Sequence, residues 1–179
     1  MSHSRAIGHA VTLINTLCLS GRTNIYCGNY TTARAELTEG IALSGEKSAM
    51  FWKAQATASL GVVSALIDEA IDAVNMIGAG IAMWRSTGAT ASVPFFQSYL
   101  AKAHAMLGQF DEAQRHIDQA MATIESTGER VWPLRYSVLA GKSLCCHRAR
   151  MQLKRRPISS VRSHPHANNK RNPGNSAPR

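Results

Sequence analysis

The sequence has few of the residues that stabilise β-rich or extracellular folds. Aromatic residues make up only 6% of the 179 residues. Its cysteines, none of them in a Cys-x-x-Cys pair, are Cys18, Cys27, Cys145 and Cys146. Because strands are enriched in aromatic and β-branched residues, this composition favours helices. Because disulfide frameworks and zinc sites need other cysteine spacings, we expect reduced thiols in a cytoplasmic protein.

Long apolar segments are also missing. The longest uncharged stretch lies between Arg5 and Arg22 and is interrupted by polar residues. A transmembrane helix needs about 20 predominantly apolar residues, and Ser20-Gly21-Arg22 is a poor signal-peptide cleavage site. The sequence therefore predicts a buried helix in this stretch and no membrane association.

Acidic residues are absent from the C-terminal end. The chain carries a net charge of +9, yet Met1–Gly141 contains 10 basic and 11 acidic residues. Lys142–Arg179 contains 10 basic residues, no acidic residue and four of the six prolines. A segment with so few apolar residues cannot bury enough surface to fold. We therefore predict a disordered basic tail over 142–179.

Sequence motifs of catalytic sites and cofactor-binding sites are missing as well. Gly141-Lys142-Ser143 resembles the end of a phosphate-binding loop, but Tyr136 stands where the loop needs its first glycine. Asp68-Glu69 is placed at a helix start, where acids interact favourably with the helix dipole. We expect His104 and His116 to pack between helices. The sequence thus predicts no catalytic residue, no cofactor and no metal, and the protein is not expected to be an enzyme.

The sequence does contain a repeat with a period of 40 residues. A small residue, an aliphatic residue four positions later and a small residue three further on recur in three sets: Ala33, Leu37 and Gly40; Ala73, Ile77 and Gly80; Ala113, Ile117 and Ala120. Residues at this spacing share one helical face, and small residues let a partner helix approach closely. The pattern predicts helical pairs with second helices near 30–43, 70–85 and 110–125.

The third repeat has the residue order of a known family. Leu100-Ala101, His104, Gly108, Phe110 and the Ala113 set resemble a tetratricopeptide repeat, although the usual period is about 34 residues and His104 stands where tyrosine is usual. Residues 80–89 and 126–132 resemble, more narrowly, the C-terminal repeat region of bacterial class III adenylate/guanylate cyclase–AAA ATPase regulators. The resemblance covers Arg5 to Gly141. It implies an all-α, tetratricopeptide-like helical-hairpin solenoid over 1–141, without cyclase or ATPase activity.

Two segments depart from the repeat. Ser20–Asn29 is rich in turn-forming residues, so we predict a loop that weakens the first pair. After Gly141 the pattern needs small, aliphatic and small residues where Leu153, Pro157 and Ser160 stand. Back-translations of 151–166 and 167–179 in a neighbouring frame can restore the pattern. We therefore favour a frameshift origin for the tail, and the alternative is an evolved basic segment.

The expected function follows from the stacking of helical pairs. Each pair buries its apolar stripe only against its neighbours. The family geometry places Gln55, Lys102 and Arg135 on the face lined by the first helices, as candidate partner contacts. We expect a non-catalytic protein-protein interaction scaffold, a repeat-region fragment of a cyclase-linked signalling regulator.

Two other kinds of binding remain open. An uncapped last helix, from Arg130 to about Leu144, is expected to allow self-association. The alternative function is a nucleic-acid-binding protein that acts through the basic tail, because clustered Lys and Arg attract phosphates. The nearly neutral body predicts that non-specific nucleic-acid binding comes from the tail only.

Overall fold

The computed structural model describes residues 10–127, and this part of the chain is helical throughout. Helices make up 85% of it, and it contains no strand, which confirms the all-α fold class. The helices are α1 (Ala10–Tyr26), α2 (Tyr30–Glu46), α3 (Met50–Leu66), α4 (Ala70–Ser86), α5 (Val93–Met106) and α6 (Phe110–Thr127). The three even-numbered helices begin 40 residues apart, which matches the period of the sequence repeat.

Four short turns share one geometry: three close the pairs α1–α2, α3–α4 and α5–α6, and the fourth, at Ser48, joins α2 to α3. Gly28, Asp68 and Gly108 occupy equivalent positions, and all three have positive φ angles of 78°, 66° and 77°. In each turn the next residue donates its backbone N–H to the carbonyl five positions earlier, at 2.9 Å. Glycine adopts this left-handed conformation without steric cost, and aspartate is among the side chains that tolerate it.

The helices pack in sequence order, with one further set of contacts. Each helix lies against the next, and α3 also contacts α1 and α5. Among the described residues, the second helices α2, α4 and α6 do not contact one another. The first helices therefore form one continuous layer, and the second helices form the other. At the centre of the first layer, α3 has 11 of its 17 residues buried.

The nine residues of the three repeated sets, which we call the stripe residues, are all buried between helices. They are Ala33, Leu37, Gly40, Ala73, Ile77, Gly80, Ala113, Ile117 and Ala120. Leu37 lies against Gly21 of α1, and Ile77 lies against Gly61 of α3. A Cβ atom added to Gly80 would lie 2.6 Å from the backbone nitrogen of Ala58. The helices α3 and α4 thus touch main chain to main chain at Gly80.

The predicted loop over Ser20–Asn29 is wrong. Helix α1 continues to Tyr26, and only residues 27–29 form the turn. Gly21 and Ile25 are buried on the face of α1 that meets α2. Helix propensity is a weak preference that tertiary packing overrides, and here the burial of these two residues decides the conformation.

Several sequence predictions fall on residues outside the described range. These are the disordered tail over 142–179 with its boundary after Gly141, the last helix from Arg130 to about Leu144, and the partner contact Arg135. They stay predictions.

Two glycines in α4 provide a test of the close helix contact. Gly80→Ala should lower the free energy of unfolding by about 1–3 kcal/mol, because the new methyl group meets the main chain of α3 and forces the helices apart. Gly78→Ala should raise it by about 0.5–1 kcal/mol, since nothing lies within 4 Å of the added atom and alanine is the better helix former. Urea denaturation followed by circular dichroism measures both. Equal effects of the two substitutions would contradict the proposed contact.

Candidate functional site

The candidate site is an aromatic patch formed by Arg22, Tyr26, Tyr30, Phe95 and Tyr99. The ring centroids of Phe95 lie 6.3 Å from Tyr26 and 5.1 Å from Tyr99. The guanidinium carbon of Arg22 lies 5.8 Å from the centre of the Phe95 ring. The patch therefore joins the end of α1 to the beginning of α5, although the backbones of these helices do not pack together.

The patch is anchored in the core by further aromatic rings. Phe95 packs edge-on against Phe96 at 5.4 Å, and Phe96 lies 5.8 Å from Trp84 of α4. Trp84 in turn lies 4.8 Å from Phe51, which packs edge-on against Trp52. The rings form a continuous series through all three helical pairs. Because the buried rings of Phe96 and Trp84 hold the first turns of α5 against α4, the position of Phe95 under the patch is also fixed.

The exposed part of the patch has a polar rim on an apolar floor. Phe95 is buried, whereas 59% of the Tyr26 side-chain surface is exposed. Burial raises the pKa of the Tyr99 phenol, and the neighbouring phenols of Tyr26 and Tyr30 raise it further. The Tyr99 hydroxyl therefore stays protonated near neutral pH and can both donate and accept a hydrogen bond. Arg22 adds a cation that the Phe95 ring attracts.

Such a surface is suited to binding another protein. Tyrosine and arginine are enriched among the residues that dominate binding energy, because they combine a large apolar area with hydrogen-bonding groups. Among residues 10–127, no group of three or more histidines, cysteines and acids is arranged to hold a metal ion. In the same range, no helix is both long enough and apolar enough to cross a membrane.

The contacts predicted from the sequence lie elsewhere. Gln55 is only 4% exposed within α3, so it presents almost no surface to a partner. Lys102 is partly exposed on α5, and Arg135 lies outside the described residues. The sequence did not indicate Arg22 and Tyr26 as surface contacts, because the turn-forming residues around them predicted a loop. The concentration of aromatic residues in Phe95, Phe96 and Tyr99, at the start of one helix, was the available signal.

A second polar group lies between α5 and α6. The rings of His104 and His116 stack at 5.2 Å with an interplanar angle of 18°. His104 Nδ1 lies 2.6 Å from Gln109 Oε1, whereas His116 Nδ1 is buried without a hydrogen-bond partner. Burial lowers the pKa of His116 to about 4, with further contributions from His104 and Arg115. His116 is therefore neutral near pH 7, and its role in this arrangement is to pack.

The two cysteines in the described range are free thiols. Cys18 is buried with its Sγ 3.8 Å from the Trp52 carbonyl oxygen, and burial raises its pKa to about 11. Because the thiolate is the nucleophile, Cys18 is unreactive at neutral pH. Cys27 is exposed in the first turn.

Acid should weaken the fold through His116. Its pKa is near 6.5 in the unfolded chain and about 4 in the folded one, so between these pH values the unfolded state binds more protons. The free energy of unfolding should therefore fall as the pH drops from about 6.5 to 4, and stability is highest above this range. Urea denaturation of the wild type and of His116→Gln at pH 7 and pH 5 measures the effect. His116→Gln should lose less stability between the two pH values, and an unchanged pH dependence would contradict this assignment.

Comparison of the chain with models of protein families, with curated proteins and with solved structures finds no match in any of the three.

Proposed function

We propose that this protein is a non-catalytic interaction module that binds a protein partner on the aromatic patch. The observation that carries the proposal is the exposure of Tyr26 beside the buried Phe95 and the Arg22 guanidinium. An exposed apolar ring on a rigid, core-anchored floor loses little conformational entropy on binding, which favours affinity.

The architecture we propose for the module is a tetratricopeptide-like helical-hairpin solenoid. The 40-residue spacing of the second helices and the shared turn geometry at Gly28, Asp68 and Gly108 support it. The continuous layer of first helices supports it too, since stacked hairpins bring equivalent helices together. The cyclase-linked signalling role and the cytoplasmic location of the proposal rest on the sequence resemblance and the cysteine pattern.

The chemistry of the patch limits what the partner can present. The rings of Tyr26, Tyr30 and Tyr99 accept an apolar side chain, and their hydroxyls pair with backbone or amide groups. Arg22 is positioned to pair with a carboxylate at the edge of the rings. The fitting partner is therefore a protein segment with an apolar anchor next to an acidic residue.

Replacing Tyr26 should remove partner binding. Tyr26→Ala should lower the amount of partner recovered by quantitative cross-linking and mass spectrometry at least about tenfold, because it removes the central exposed ring. Val11→Ala is the matched control, since Val11 also lies on α1 and is 49% exposed. Thermal melts of both variants separate loss of binding from loss of folding. Equal recovery with folded wild type, Tyr26→Ala and Val11→Ala would contradict the proposal.

A second function, nucleic-acid binding through the basic segment, is favoured by one observation. Lys142–Arg179 contains ten basic residues and no acidic residue. Such a segment attracts any polyanion at low salt, so binding alone does not identify a function. If the interaction module is the function, binding to a panel of DNA and RNA sequences should be non-selective and lost at about 0.2 M salt. Sequence-selective binding that survives this salt concentration would support the nucleic-acid function instead.

A further inference from the structure

A groove of about 610 Å³ lies between the second and third helical pairs, at the end where their turns are. Its apolar part is formed by Ile71, Met106 and Leu107, and its charged part includes Asp68 and Asp72. Ile71 is 66% exposed and Leu107 is 39% exposed. We call this groove the turn groove. The turn groove therefore exposes apolar side chains directly beside carboxylates.

One ionic contact of the preceding junction is not repeated at the junction that holds the turn groove. Between the first and second pairs, Arg34 of α2 forms an ion pair with Glu69, which also accepts a hydrogen bond from Ser64. Forty residues further along, Val74 replaces Arg34 and Gln109 replaces Glu69. These two residues cannot form an ion pair, and the Gln109 side chain is hydrogen-bonded to His104 instead.

Charge is divided unequally along the chain. The described residues 10–127 contain seven basic and ten acidic residues, whereas residues 128–179 contain twelve basic and one acidic residue. No basic residue lines the turn groove, and the third acid of its lining, Glu69, is paired with Arg34. The surface and the C-terminal segment are therefore electrostatically complementary.

We propose that Arg148–Arg156 of the same chain docks in the turn groove. This stretch has five basic residues around Met151 and Leu153 and is followed by Pro157. Met151 and Leu153 would cover the exposed surface of Ile71 and Leu107, which is removed from water. The neighbouring guanidinium and ammonium groups would pair with Asp68 and Asp72, and arginine can contact a carboxylate through two parallel hydrogen bonds. The inference does not depend on the aromatic patch.

The chain is long enough to make this contact. Helix α6 runs from the turn end to Thr127 and is about 27 Å long, since a helix rises 1.5 Å per residue. Twenty-one residues lead from Thr127 to Arg148, and with the helix predicted from Arg130 to about Leu144 (about 22 Å) and the other six residues extended (about 20 Å) they still reach about 42 Å. A tether of this kind gives an effective concentration in the millimolar range, so even a weak contact is populated.

Docking would also reduce the number of basic side chains that are available to a polyanion. Arg148–Arg156 contains half of the ten basic residues of 142–179, and a docked segment presents fewer of them to solution. A polyanion and the turn groove would compete for the same side chains. Docking thus weakens non-specific binding of nucleic acid at low salt.

Photo-cross-linking in the full chain tests the proposal. A photoreactive phenylalanine analogue at Ile71 should cross-link to peptides from 148–156 within one chain. The same analogue at Thr31, which is exposed 40 residues earlier at the preceding junction, should give no such product, because Gly28 and Thr32 stand there in place of Asp68 and Asp72. The double variant Asp68→Lys/Asp72→Lys should lower the yield at Ile71 at least threefold. Asp118→Lys/Glu125→Lys, which changes two exposed acids on α6, should leave it unchanged.

Reversing the charges on both the groove and the segment tests whether these two surfaces contact each other. Adding Lys154→Glu, Arg155→Glu and Arg156→Glu to Asp68→Lys/Asp72→Lys should restore the cross-link, provided that circular dichroism shows all variants folded. Mixing isotopically light and heavy chains distinguishes contacts within one chain from contacts between two. Products that join only different chains would overturn the proposal and make the turn groove a self-association surface. Absence of products from 148–156, or yields that do not respond to the charge changes, would also overturn it.

Discussion

The close contact between α3 and α4 determines how the other helices pack around them. Gly80 brings the main chain of α4 onto Ala58, and Gly61 brings the main chain of α3 onto Ile77. At this distance there is no room for larger residues, which explains why most of the residues buried in α3 are Ala, Ser, Gly or Val. Because the side chains of α3 are small, α1 and α5 can both pack closely against it. The rings of Tyr26 and Phe95 can then meet across it.

The sequence predicts those parts of the fold that depend on local spacing. The stripe residues are all buried, as their three- and four-residue spacing indicates, and the turn at Gly108 is a left-handed turn of the kind that glycine favours. The extent of α1 could not be predicted in this way. Its turn-prone residues become helical because Gly21 packs against Leu37, and this contact depends on the tertiary structure.

The two candidate surfaces were harder to predict. The aromatic patch needs residues from the first and third pairs, almost 70 positions apart in the chain, and no periodic pattern relates Tyr26 to Phe95. The turn groove is formed by Asp68–Asp72 together with Met106 and Leu107, more than 30 positions further along, and no sequence pattern relates these two segments. The burial of Gln55 could not be predicted either, because it depends on the position of its helix at the centre of the first layer, where other helices cover it on several sides.

The apolar core is divided in a way that affects how the molecule opens. Within residues 10–127, one large cluster holds residues from α1 to α5, whereas the buried residues of α6 belong to a second cluster shared with α5: Ala101, Ala105, Ala113, Ile117, Ala120 and Ile124. Four of these six side chains are single methyl groups, so this cluster buries little apolar area per residue. Within the described residues, α6 is thus joined to the array through one neighbour, whereas α3 is held from several sides, and we expect the amide hydrogens of α6 to exchange with solvent before those of α3.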